Sequence, residues 1–193
     1  MSGAGGAMAG IIIGRNLALL EAGLAQLPAA WAPLAARGLA MTTAAGRPAA
    51  SGAVLGFPTT VAVVTDLVQF ATTEVRVEGG AGTMEVGVYP SPGGMLGRIR
   101  SWLGQDIEVG DPGFDARYLV TALPAESAAK VLGEPVRAGI TALSSGTFLG
   151  LTLERGVVTI RFAGVVTDAD TVSLALDVAV DVLDASAPPP ARR

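Results

Sequence analysis

Short runs in which apolar and polar residues alternate, closed off by glycine, are the feature that most restricts this fold. In Thr72–Glu78, Val75 and Val77 face one side while Glu74, Arg76 and Glu78 face the other. A period of two is the signature of a half-buried strand. After Gly79-Gly80-Ala81-Gly82, Val86 and Val88 alternate with Glu85 and Gly87 in Thr83–Tyr89, so the two runs read as a hairpin. Phe148–Glu154 and Val157–Ala163 flank Arg155-Gly156 and read as a second hairpin. Further strands are expected at Leu39–Thr43, Ser51–Leu55, Thr60–Thr65, Asp106–Val109 and Phe114–Leu123.

Helical spacing separates these strands. Leu17, Leu20, Leu24 and Leu27 mark one helix, and Pro28 opens a second short one carrying Trp31, Leu34 and Ala35. Pro124 opens a helix over Ala125–Leu132, with Glu126 and Lys130 at i,i+4. Val136, Ile140 and Leu143 mark another helix. Thr171–Ala185 fits both periods. As a strand, Leu174, Leu176, Val178, Val180 and Val182 alternate; as a helix, Ser173, Asp177, Asp181 and Asp184 form a polar stripe with Asp170 as cap. Helix is preferred, because so long a run without a turn signal is unusual for a strand. The expected class is α+β: mostly antiparallel β-hairpins packed with short helices, an N-terminal helix pair and a C-terminal helix. Residues 1–10 read as a disordered lead and 187–193 as a disordered tail. Between them, residues 11–186 read as a single α+β domain, divisible into lobes 11–104 and 105–186.

The chain has 193 residues, half of them hydrophobic, and a net charge of −4. That is ample for a core and argues against a nucleic-acid partner. All basic residues but Lys130 are arginine, which with abundant Ala and Gly suggests a GC-rich bacterial source. There is no Cys and no His. Disulfides, thiolate sites and a Ser-His-Asp triad are therefore excluded. An enzyme here would depend on carboxylates, Lys130, Arg, Tyr or a cofactor, and no cofactor is expected. The first charge, Arg15, follows the apolar start instead of preceding it, unlike a secretory signal. The uncharged run from Pro48 to Thr65 holds Gly52, Gly56, Pro58 and Thr59-Thr60, which fit strands and a turn better than a membrane span. A cytoplasmic location is expected.

Gln105-Asp106-Ile107-Glu108-Val109-Gly110-Asp111-Pro112-Gly113-Phe114-Asp115 is followed by Tyr118-Leu119-Val120 and the Ala125–Leu132 helix. This stretch resembles a group of uncharacterised bacterial proteins with a Gly-Asp-Pro-x-Phe-Asp motif. The resemblance covers about residues 105–165. It implies a bacterial α+β domain and carries no activity with it.

Four candidate sites stand out. Asp106, Glu108, Asp111 and Asp115 form an acidic group that offers oxygen ligands to a cation, although the spacing is not that of an EF-hand. A solvated strand face with a turn aspartate is the favoured alternative. Met95, Leu96, Ile99 and Trp102 share one helical face with Arg98 and Arg100 off it, which suits insertion into a partner. The competing view is a short helix closing over the sheet. Gly79–Gly82 reads as a turn and not a phosphate loop, since no Gly-Lys-Ser/Thr is present. The acidic stripe on the last helix reads as a solvated face. The leading expectation is a non-enzymatic interaction or scaffold domain with a protein partner, a second copy included; a membrane surface is a lesser partner. The alternative is a module for a small hydrophobic ligand, followed by an enzyme using carboxylates and a metal.

Overall fold

A computed structural model describes residues 18–65, 71–79, 82–91, 106–144 and 146–187. The chain enters through a helix over 18–30 (α1), which buries Leu27 and packs Leu20 and Leu24 against the core. It does not stop at Pro28 as expected. Pro28 forfeits one helical bond near the last turn, and the helix continues, with the Trp31 N–H donating to the Leu27 carbonyl at 2.8 Å. The second helix of the pair is a 3₁₀ helix, Ala32–Arg37, ended by Gly38 at φ 86°. Its period of three aligns Trp31 with Leu34 and leaves Ala35 exposed. The Trp31 indole N–H donates to the Val166 carbonyl at 2.9 Å.

Four strands follow as a meander: β1 (Leu39–Ala44), β2 (Arg47–Val54), β3 (Phe57–Thr65) and β4 (Ala71–Glu78). Two-residue loops join the first three. Ala45-Gly46 and Leu55-Gly56 have φ of 51° and 77°, then 50° and 90°. These are the left-handed pairs whose twist matches a hairpin. The uncharged Pro48–Thr65 run is therefore two strands and a turn, as its glycines and prolines imply. Then come β5 (Glu85–Pro90), β6 (Tyr118–Leu123), β7 (Phe148–Glu154) and β8 (Val157–Ala163). Arg155-Gly156 closes the β7–β8 hairpin with the bounds expected, at φ 51° and 74°.

All eight strands form one antiparallel sheet in the order β1-β2-β3-β4-β8-β7-β5-β6. The expected hairpin of β4 with β5 does not form. The β7–β8 hairpin lies between them, setting Val75 opposite Ile160, Val77 opposite Val158, and Val86 opposite Leu153. That arrangement satisfies both edges of β4 and β5 and matches larger apolar side chains across each ladder. Gly79 and Gly82 instead each lie close to the Arg155-Gly156 turn. Gly79 N–H donates to the Gly156 carbonyl at 2.8 Å, and a Cβ on Gly82 would come within 3.1 Å of the Gly156 nitrogen.

The expected strand at Asp106–Val109 is irregular chain, and the one expected over Phe114–Leu123 begins only at Tyr118. Gly110 turns the chain at φ 80°, and Asp111 caps a short helix, α2 (Pro112–Asp115), with its carboxylate accepting from Gly113 and Phe114. Two helices link β6 to β7: α3 (Ser127–Val131) and α4 (Glu134–Leu143). Lys130 donates to the carbonyls of Ser186 and Ala187, not to Glu126 as its spacing suggested. The ambiguous last segment is a helix, α5 (Ala169–Ser186), capped by Asp168 instead of Asp170; the Asp168 carboxylate accepts from the N–H of Asp170 and of Thr171.

Helix α5 crosses the middle of the sheet on β4 and β8, with α4 beside it. A Cβ on Gly139 would meet Val178 at 2.5 Å, so glycine sets how closely α4 and α5 approach. Among the described residues no helix is long and apolar enough to cross a membrane.

Ile160 is fully buried under α5. Ile160→Ala is expected to lose about 2–5 kcal/mol in denaturant unfolding, with an unchanged slope. Leu55, 80% exposed with a left-handed backbone, gives the opposite case. Leu55→Asn should raise stability by about 1 kcal/mol in the same measurement, because Asn tolerates that conformation.

Candidate functional site

The two faces of the sheet differ. Val61, Val75, Ile160, Leu151, Val88 and Val120 lie opposite one another across six strands, all fully buried beneath the helices. Offset by one residue, the other face carries the row Ser51, Thr60, Arg76, Thr159, Thr152, Gly87 and Thr121. A neighbouring row brings Ala62, Glu74 and Arg161 together. Apart from Ala49, Gly87, Leu119, Thr159 and Gly150, central strand residues of this parity are exposed or half-buried. One face is thus a core wall and the other a polar platform.

The platform is shaped as well as polar. Tyr89 lies against two glycines: a Cβ on Gly87 would meet its ring at 2.8 Å, and one on Gly150 would do the same. Both strands must be bare at those points for the ring to lie flat. Beside it a groove of about 540 Å³ is lined by Arg76, Thr152, Glu154, Thr159 and Arg161, with Glu85 and Arg155. It adjoins a smaller one of about 190 Å³ over Gly87, Tyr89, Thr121 and Leu123, and the two share Glu85, Thr152 and Glu154. Arg161 Nε bonds Glu74 at 2.8 Å, and Arg76 Nε bonds Glu78 at 3.1 Å. Such exposed pairs contribute little net stability. They do hold two guanidiniums over a floor of threonine hydroxyls. This suits a surface that recognises polar groups.

Met95, Leu96, Arg98, Ile99, Arg100 and Trp102 lie outside the described residues. The acidic group is described, and three of its four carboxylates are engaged by backbone. Asp106 accepts from the Val120 N–H at 3.1 Å. Asp115 accepts from the N–H of Val109 at 3.0 Å and of Asp111 at 3.1 Å. Asp111 accepts from Gly113 and Phe114 and bonds Arg137 Nε at 3.2 Å. Its carboxyl lies below the usual carboxylate range, chiefly through the Phe114 N–H, with Arg137 and Gly113 adding to the effect. Glu108 is exposed. Among the described residues no group of three or more acidic side chains is placed to hold a metal ion.

The motif instead builds a joint. Phe114 stacks on Tyr118 with centroids 4.5 Å apart, Tyr118 meets Phe148 at 6.5 Å, and Phe148 meets Phe162 at 6.1 Å. On α5, Asp177 pairs with Arg37 of the same chain. Asp181 is pushed up, first by burial and then by the charges of Asp177 and Asp184.

Reading the sequence alone missed Arg76, Thr152, Thr159, Arg161 and Tyr89 as neighbours. The alternation identified an outward set on each strand, but only the sheet order brings those sets together.

No family model and no curated protein matches the chain. Among solved structures it is similar to the crystal structure of the mycobacterial trehalose monomycolate transport factor A, TtfA. The TM-score is 0.57 and the identity 11%, over 88% of this chain and 99% of that one. The likeness is one of fold.

Two predictions with opposite pH dependence follow from the carboxylates. Asp111 has a lowered folded pKa. Its contribution is present above the unfolded carboxylate pKa and is lost as pH falls through the folded one. Asp111→Ala should therefore lower the thermal midpoint most near neutral pH, and the gap to wild type should close on acidification. Asp181 has a raised folded pKa, so its ionisation opposes folding as pH rises. Asp181→Asn should raise the midpoint at neutral pH, with the gain vanishing at low pH.

Proposed function

We infer that this chain is a bacterial, non-enzymatic binding module that engages a protein partner through the uncovered face of its sheet. The observation behind this is the contrast between the faces: one has a central row fully buried under helices, the other carries a row of polar side chains, broken at Gly87, around a groove of about 540 Å³. Large sheet faces left open by the described elements are natural recognition surfaces, because strands hold side chains at fixed spacing. The amphipathic run Met95, Leu96, Ile99 and Trp102, with Arg98 and Arg100, belongs to the same reading as a second contact. On either side of that run, Ser91 donates to the Arg117 carbonyl, next to β6, and Ile107 to the Val120 carbonyl within β6.

Arg76 and Arg161 are each about half exposed, at 50% and 47%, so reversing their charge should leave the fold intact. In affinity capture from bacterial lysate, Arg76→Glu/Arg161→Glu should lose the partner that wild type retains. Retention of the same partner by a folded variant would remove the platform from the reading.

A second reading is supported by the fold neighbour, whose name associates it with transport of an acylated trehalose. Under it the platform holds the polar head of a lipid. Solvent extraction of purified protein followed by mass spectrometry tests this. A lipid recovered from wild type and lost from the charge-reversal variant would favour this reading over a protein partner.

A further inference from the structure

The Gly110–Asp115 bend also aims an arginine. Arg117 follows α2, and its Nε donates to the Gly113 carbonyl at 2.8 Å. The guanidinium lies over the Tyr118 ring as well, with Cζ 5.9 Å from the centroid. These two contacts hold the group in place. Neither terminal nitrogen has a partner among the described residues, and no carboxylate there pairs with Arg117.

Beside it lies a hollow of about 240 Å³, lined by Pro90, Arg117, Tyr118, Ser144, Gly146 and Phe148. It shares no residue with either groove of the open face. Its second polar feature is a chain of hydroxyls. Tyr118 is hydrogen-bonded to Ser144, and Ser144 Oγ donates to the Ile140 carbonyl at 3.1 Å. A serine hydroxyl has one proton to give. With that proton on Ile140, the Tyr118 hydroxyl must donate to Ser144. Both oxygens then keep lone pairs and no hydrogen, so toward a ligand they only accept. Ser144 is also the C-cap of α4, and the last turn of a helix favours positive charge. The remaining surface, from Pro90, Phe148 and the Tyr118 ring, is apolar.

We propose that this hollow binds a free α-amino acid with an apolar side chain. The carboxylate takes the two parallel N–H groups on the outer edge of Arg117. The ammonium donates to the Tyr118 and Ser144 oxygens, and the side chain lies against Phe148 and Pro90. Other small ligands satisfy half of these groups. A simple carboxylate or a phosphate leaves the two acceptor oxygens unmet, and an amine leaves the guanidinium unmet. A peptide end carries one of the two charges and not both on neighbouring atoms. The volume also favours a single amino acid, since sites for drug-sized ligands span roughly 300–1,000 Å³.

Titration calorimetry of the full chain with L-leucine, L-methionine and L-phenylalanine tests this. At least one of them should bind at one site per chain. N-acetylation, which removes the ammonium, or amidation, which removes the carboxylate, should each weaken that ligand roughly ten-fold or more. Arg117→Gln should weaken it by a similar factor with an unchanged circular dichroism spectrum, and so should Tyr118→Phe, which keeps the ring. Should Tyr118→Phe misfold, Ser144→Ala, at an exposed position, is read in its place. Arg76→Glu/Arg161→Glu should bind the amino acid as wild type does, so this site stands or falls apart from the open face. The idea is overturned if none of the three amino acids binds in the low millimolar range. It is equally overturned if the N-acetylated form binds as tightly as the free one, which makes the hollow a plain anion site, or if folded Arg117→Gln binds undiminished.

Discussion

The ladder between Ala71–Glu78 and Val157–Ala163 joins the two halves of the molecule. Strands before it form a meander, strands after it form the β5–β8 group, and among the described residues the only strand pairing between the groups is β4 with β8. Val75, Val77, Val158 and Ile160 meet there with no exposed surface, and α5 lies directly over them. Burial of apolar area at this seam drives the association, and the backbone ladder fixes its register, since a slip of one residue would turn every valine to the wrong face. The long C-terminal helix is thereby held against strands from both groups.

That seam also explains the platform. Among the described residues helices cover one face, and the strands turn mostly small, polar or charged side chains to the other, with Val64, Tyr89 and Leu123 as large apolar exceptions. The arrangement at Tyr89 shows how far this goes: two glycines, from different strands, are bare where the aromatic ring crosses them. Two arginines are held by glutamates on the strand beside or along them. Only Ala49, Gly87, Leu119, Gly150 and Thr159 of this face are buried among the central strands, so most of its composition is free to serve recognition.

The motif at Gly110–Asp115 illustrates the limits of reading chemistry from composition. Clustered aspartates suggest a cation or an acid–base pair. In the folded chain Asp111 and Asp115 receive backbone N–H groups at a sharp bend, Arg137 reaches Asp111 from α4, and Phe114 starts an aromatic file that ends at Phe162 on β8. Turn aspartates satisfying their own backbone need no long-range partner.

Local patterns in the sequence determined a good deal by themselves. The alternation in Phe148–Ala163, with Arg155-Gly156 between, specifies the strands, the turn and the hairpin, because strand period and left-handed turn geometry are properties of neighbouring residues. In α5 the polar stripe of Ser173, Asp177, Asp181 and Asp184 prevailed over the strand-like alternation of Leu174, Leu176, Val178, Val180 and Val182 for the same reason, through length and a nearby capping aspartate. The α+β class followed from such elements. What the sequence could not decide was which strands meet. Gly79–Gly82 has the composition of a hairpin turn, yet β4 and β5 lie two strands apart, because pairing depends on the apolar partners available across the whole sheet and not on the link. Which side chains share the open face, and which strands lie at the edges, are consequences of that order. They belong to the tertiary structure because they join residues as far apart in the chain as Arg76 and Thr159, whose adjacency no local signal encodes.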